Sequence, residues 1–137
     1  MQQQEWKFGA HVVRFEAPDV LSATYSGPIS LEEMKRAVEV YGEVAKNHGP
    51  YYLIAEIGQS QLAAEPRRYL SENGRAEWFK AAIYVGADMV QQTFTKVIAL
   101  GMLFLGKSQF ETIFVKTVPE AQAWVAQHRV NLRKKSG

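Results

Sequence analysis

Apolar positions follow two different periods along the chain, and the changes between them mark out its elements. Residues 51–57, Tyr-Tyr-Leu-Ile-Ala-Glu-Ile, form a nearly continuous apolar run between Gly49-Pro50 and Gly58. That is the pattern of a strand buried on both faces of a parallel sheet. Residues 81–85, Ala-Ala-Ile-Tyr-Val, read the same way, and residues 112–116 give a last strand. Nearer the amino terminus, residues 7–15 carry Phe8, Val13 and Phe15 as the apolar members of a first strand. Residues 20–25 return after the turn at Ala17-Pro18-Asp19, so these two stretches pair as an antiparallel hairpin. Residues 1–6 read as a loose lead-in.

Between strands the apolar spacing lengthens to steps of three and four. Ser30 and Glu33 make a capping box, in which each side chain satisfies a free N–H at the start of a helix. Leu31, Met34, Ala37, Val38, Tyr41, Val44 and Ala45 then draw one apolar stripe. Asn47-His48-Gly49-Pro50 stops it. A second helix starts near Pro66, where the missing N–H costs no hydrogen bond, and runs to about residue 77 with a weak point at Gly74. Asp88 and Gln91 repeat the capping-box pattern and open a helix over residues 89–105. Its latter half, 97–105, is apolar all round and should be buried on more than one side. Thr117 and Glu120 repeat the pattern once more before a helix that places Ala121, Trp124, Val125 and His128 on one face. The order ββαβαβαβα predicts an α/β fold: a mostly parallel, mixed five-stranded sheet with an amino-terminal antiparallel hairpin and right-handed crossovers.

Composition narrows the possibilities. The 137 residues, 47% hydrophobic and 22% charged, suit one domain with a single core. The formal charge is +2, but Arg129, Arg133, Lys134 and Lys135 sit together at the end, so the first 128 residues carry −2. The domain therefore has no general basic field for nucleic acid. We expect one domain over residues 1–129 and a disordered basic tail over 130–137. With no cysteine, thiolate catalysis, disulfides and Cys-ligated metals are excluded. The longest apolar run is far short of the roughly 20 residues of a membrane helix, and residues 1–8 lack the order of a secretory signal. The expectation is a soluble, cytoplasmic protein that does not span a membrane.

Candidate chemistry is sparse. His11, His48 and His128 show no metal-ligand spacing, so no metal or cofactor is expected. Residues 101–108 match the phosphate-loop pattern letter for letter, but they end a helix instead of joining a strand to one, and the mechanism needs the latter. Glu56 stands out as an acid inside an apolar strand. Either it sits at the wet end of that strand or pairs with Arg67 or Arg68, or it anchors a ligand or partner at the crevice beyond the strand. Trp78, Phe79, Tyr84 and the run over residues 97–105, with Leu100, Leu103 and Phe104, exceed what one amphipathic face needs. They belong to a well-covered core, to a homodimer face, or to a pocket for an apolar ligand.

Laid out in this order, the chain resembles the STAS superfamily in its SpoIIAA-like branch, a fold type shared with lipid-binding CRAL-TRIO (Sec14-like) domains. The resemblance spans about residues 8–129. It is carried by the opening hairpin, by Gly27-Pro28-Ile29-Ser30 before the capped helix, by residues 51–57 as central strand, and by residues 81–85 with Asp88. The closing run Phe114-Val115-Lys116-Thr117-Val118-Pro119-Glu120-Ala121-Gln122-Ala123-Trp124 completes it. The resemblance implies a non-enzymatic regulatory or protein-interaction module. In anti-sigma-factor antagonists of this superfamily, an acid ends the third strand and a phosphorylatable Ser opens the next helix within an Asp-Ser-Ser-Gly-like motif. Glu56 matches the acid, whereas the serine motif is replaced by Gly58-Gln59-Ser60-Gln61, in which Ser60 is the nearest phosphoacceptor. Glu56, Gln59, Ser60 and Gln61 are thus the expected partner or ligand site. The partner is an unidentified protein or, alternatively, a lipid or other small apolar molecule that the chain would carry or sense.

Overall fold

The computed structural model describes residues 4–105 and 110–136, with the side chains of 4–102 and 110–134. A six-stranded sheet runs in the order β1-β2-β3-β5-β7-β8. Its strands are β1 (Gln4–Phe8), β2 (His11–Glu16), β3 (Val20–Thr24), β5 (Tyr51–Glu56), β7 (Phe79–Val85) and β8 (Glu111–Val115). The first two pairings are antiparallel and the remaining three are parallel. Four helices, α1 (Leu31–His48), α2 (Ala64–Asn73), α3 (Met89–Leu105) and α4 (Val118–Ser136), occupy the connections and the carboxyl end. The mixed, mainly parallel α/β sheet expected from the pattern is present.

It has one strand more than expected. Residues 7–15 are two strands instead of one, because Gly9 takes a positive φ of 61° and folds the chain back on itself. Gln4, Glu5 and Trp6, expected as lead-in, pair with Phe15, Arg14 and Val13 across that turn.

The sheet separates two apolar clusters. On one face Phe15, Leu21, Leu53 and Ala55 pack under α1, α2 and α3. On the other, Tyr52, Ile54, Ala81 and Ile83 pack under Ala121 and Val125 of α4. Because β5 contributes to both, its run of five buried residues is explained by its central place.

The helix ends follow the polar signals closely. Ser30 and Glu33 form the reciprocal capping box of α1. Thr117 Oγ1 accepts the Glu120 N–H at 3.3 Å. Helix α2 stops at Asn73, and a single 3₁₀ turn, Ala76–Trp78, replaces the continuation expected to residue 77. At Gly74 a Cβ would meet the Met102 side chain, so the glycine lets α3 come close at this point.

One expectation is corrected. The latter half of α3 is not buried all round: Ile98 and Met102 are buried, while Val97 and Leu100 are 60% and 54% exposed. Only one side of α3 packs on α2 and the sheet. Helix α4 runs on to Ser136. After Pro119 in its first turn no Gly or Pro interrupts it, Gln127 Nε2 donates to Asn131 Oδ1 one turn on, and cations near a helix carboxyl end meet its dipole favourably.

Candidate functional site

The carboxyl ends of β3, β5 and β7 lie side by side, with Thr24, Glu56 and Val85 in register. Crevices at such ends are where open α/β sheets place ligands and partners. Glu56 is half-buried and accepts a hydrogen bond from Thr24 Oγ1 at 3.0 Å. Its place is the wet end of the strand, and its partner is that hydroxyl instead of Arg67 or Arg68. The Arg67 guanidinium instead lies 5.0 Å from the centre of the Phe94 ring.

Beyond Glu56 the chain makes a tight bend that several backbone hydrogen bonds hold in place. The Ile57 N–H donates to Val85 O, and the Ile57 carbonyl in turn accepts from the Ser60 N–H at 3.0 Å. Two short strands, β4 (Gly27–Pro28) and β6 (Ser60–Gln61), then pair in parallel. The Gly27 N–H donates to Gln59 O at 2.8 Å and the Ile29 N–H to Gln61 O at 3.0 Å. The bend is pressed against the loop after β7: a Cβ on Gly58 would lie 2.8 Å from the Gly86 carbonyl oxygen. Gly86 itself has φ +78°, a conformation that favours glycine.

Ser60 faces inward. Its residue is 9% exposed, and its Oγ donates to Ile57 O at 2.7 Å. Gln59 and Gln61 are exposed on either side of it. The sequence therefore brings Glu56, Gln59, Ser60 and Gln61 to one edge as expected, with Ser60 as the member that holds the bend together.

Gln91 is a participant that the sequence identified only as half of a capping box. That box is present, with Asp88 N–H donating to Gln91 Oε1 and Gln91 N–H to Asp88 Oδ1. The Gln91 amide also reaches across to the bend, where Nε2 donates to Ile57 O at 2.8 Å and to Ser60 O at 3.3 Å. At 8% exposed, it joins the start of α3 to the end of β5. A separation of 34 residues carries no local signal for this contact. Beside it, in the first turn of α3, Met89 and Val90 are 80% and 70% exposed.

The other expected apolar residues divide. Phe79 is buried and lines a cavity of about 50 Å³ between the sheet and α1, α2 and α3. Trp78 is half-buried, its ring 3.1 Å from where a Cβ on Gly42 would stand. Leu100 faces out. The side chains of Leu103 and Phe104 lie outside the described residues.

A second polar cluster, absent from the sequence reading, sits at the opposite end of β5. The Tyr52 hydroxyl and His128 Nδ1 are 2.7 Å apart, and Trp124 stacks on the His128 ring. Asp19 pairs with both Lys80 and Arg129, whose cations also lie over the Tyr52 ring. Burial alone would raise the Asp19 carboxyl, but hydrogen bonds from Lys80 and Arg129 outweigh it and hold the group below its usual range. This cluster pins α4 to the sheet. Among the described residues no group of three His, Asp or Glu side chains is placed to hold a metal ion, and no helix is long and apolar enough to cross a membrane.

No protein-family model matches the chain, and no curated protein matches it in sequence. Solved structures do match in shape. The unphosphorylated form of the anti-sigma factor antagonist SpoIIAA superposes with a TM-score of 0.56 at 9% identity, covering 85% of this chain and 98% of that one. An uncharacterized protein of the DUF3478 family with a SpoIIAA-like fold, from Shewanella loihica PV-4, gives 0.56 at 14% identity, with 89% and 92% covered. The chain has a SpoIIAA-like, STAS-type fold.

Proposed function

We propose that the protein is a STAS-type regulatory module without catalysis of its own, whose protein partner docks on the edge formed by Glu56, Gln59 and Gln61. One observation carries this reading: the backbone of residues 57–61 is tied down from several sides while the Gln59 and Gln61 side chains are left in solvent. A rigid edge with polar groups directed outward loses little conformational entropy on docking, which favours recognition of another protein surface. Met89 and Val90 add apolar area next to it. The likeness of fold to an anti-sigma factor antagonist lends the same reading support, as a matter of analogy.

Ser60 is the switch in this reading. A phosphoryl group on its Oγ would replace the bond to Ile57 O and add about two negative charges beside Glu56. Modification thus requires the bend to open first and would keep it open. Along α3, Val97 and Leu100 offer an apolar face that a second copy of the chain would cover, consistent with a homodimer in the cytoplasm.

The test is affinity capture with crosslinking from a lysate, comparing the wild type with the triple variant Glu56→Gln, Gln59→Ala, Gln61→Ala. A partner enriched on the wild type and lost on the variant is the expected result. Partners that survive the triple substitution would sink the site assignment. Sedimentation of the wild type and of a Val97→Ser, Leu100→Ser variant over a range of concentrations tests the dimer.

A further inference from the structure

The cavity behind the docking edge has walls that are almost wholly apolar. Leu53, Ala55 and Ala82 line it from the sheet, and Phe94, Ile98 and Met102 from α3. Among the described residues its polar lining consists of hydroxyls. Ser60 Oγ donates to Ile57 O and Thr95 Oγ1 to Gln91 O. The hydroxyls of Tyr25 and Tyr41 bond to each other. A hydroxyl carries one hydrogen, so one of this pair donates and the other keeps a hydrogen with no acceptor among the described residues. Tyr84, which also lines the cavity, makes no hydrogen bond to any described residue. Burial pushes its phenol up to about 12. Tyr25, Tyr41 and Tyr84 all line this one cavity.

Two O–H donors thus face this space with no acceptor among the described residues. Leaving a donor without an acceptor in such a place costs about 1–3 kcal/mol. An acceptor oxygen on a ligand would satisfy both. That ligand should be neutral, because among the described residues no Lys, Arg or His lines the cavity, and a carboxylate would be desolvated there without a counter-ion. It should also be small. A space of about 50 Å³ exceeds the roughly 10–15 Å³ that one water needs but falls short of the roughly 150 Å³ that accepts benzene. Met34 and Met102 line the wall, and their unbranched thioether chains can yield to a somewhat larger guest.

We propose that this cavity is a binding site for a compact, neutral, mainly apolar molecule with one acceptor oxygen, such as a small ketone, held by donation from Tyr84 and from the Tyr25–Tyr41 pair. The site lies behind the docking edge and shares Ser60 with it, but it does not depend on the identity of a partner there.

The experiment is a titration of the full-length, ¹⁵N-labelled chain with acetone, isobutane and acetate, read from the amides of Ala55, Tyr84 and Ile98. Expected are saturable shifts with the ketone, none with the carboxylate, and affinity for the ketone about three- to tenfold weaker in Tyr84→Phe, the worth of one hydrogen bond. Tyr84→Phe keeps the ring, so a thermal midpoint close to that of the wild type would show that the variant folds. Ketone shifts that do not saturate, or equal binding of ketone and hydrocarbon, would overturn the proposal. So would a crystal soaked in acetone that shows only ordered water on the three tyrosines.

Discussion

Gln91 Nε2 donates to the carbonyl oxygen of Ile57 at 2.8 Å, joining the amino end of α3 to the carboxyl end of β5. The same carbonyl also accepts from the Ser60 N–H and Ser60 Oγ, so three donors converge on a single oxygen. The bend that carries Gln59 and Gln61 is held at this point. Its other attachments include the Gly27 and Ile29 N–H groups, the Val85 carbonyl that accepts from Ile57 N–H, and the Gln91 amide on Ser60 O.

Replacing Gln91 by Ala should therefore loosen the bend more than it disturbs the rest of the fold. Asp88 N–H would lose its acceptor, and the Ile57 and Ser60 carbonyls would each lose a donor. The expected loss is about 1–3 kcal/mol in urea unfolding, the ordinary cost of leaving a buried polar group unpaired. Hydrogen exchange should accelerate at Ser60 before it does at Leu53 or Ile83. Uniform acceleration across the sheet would mean that Gln91 supports the fold as a whole instead of the bend.

The sequence made the centre of this site legible but not its fastening. Residues 51–57 were readable as the central strand because only a strand with both faces covered can be apolar at every step. The capping boxes of Ser30, Asp88 and Thr117 were readable because their partners lie three residues away. The reach of Gln91 to Ile57, and the contacts of Tyr52 with His128 and of Asp19 with Arg129, join residues 34, 76 and 110 positions apart. Periodicity has no term for such pairs. The sixth strand was missed for a different reason: Gly9 reads as an ordinary strand residue unless its positive φ is known. Helix α3 misled in the opposite direction. Its apolar composition suggested burial on several sides, yet Val97 and Leu100 face out, so composition alone could not separate core from surface.

Gly58→Ala should be costly although the glycine's backbone angles demand nothing unusual. The added methyl would sit 2.8 Å from the Gly86 carbonyl oxygen, a backbone atom that cannot rotate away. Either the bend or the loop after β7 must shift, at about 1–3 kcal/mol for an overpacked site. The urea midpoint should fall with an unchanged slope. An unaltered midpoint would show that the two loops separate easily and that the docking edge is less rigid than proposed.

Glu56→Gln, by contrast, should be nearly silent in stability. The Thr24 hydroxyl can still donate to the amide oxygen, and the residue is only half-buried. A change within about 0.5 kcal/mol is expected, as for surface substitutions away from special features. Loss of captured partner without loss of stability would then locate the effect in recognition. A fall of more than about 2 kcal/mol would instead make Glu56 a structural residue and remove it from the docking edge.

Asp19 should give the fold an acid-sensitive attachment for α4. Its carboxyl would be raised by burial, yet Lys80 and Arg129 hold it below the ordinary value. A carboxyl whose folded value is depressed stabilises the protein fully above its unfolded value, about 3.9, and that contribution fades as pH falls through the lower, folded value. Asp19→Asn should thus be less stable than the wild type at pH 7, and the gap should narrow toward pH 3. Salt should narrow it too, because the Lys80 and Arg129 side chains are about one-third exposed. The measurement is urea unfolding of both proteins at several pH values, followed by the fluorescence of Trp124, which stacks on His128 within the same cluster. A gap that stays constant from pH 7 to pH 3 would show that the ion cluster does not hold α4 in place. The docking of that helix would then rest on Ala121 and Val125 against Tyr52, Ile54 and Ile83 alone.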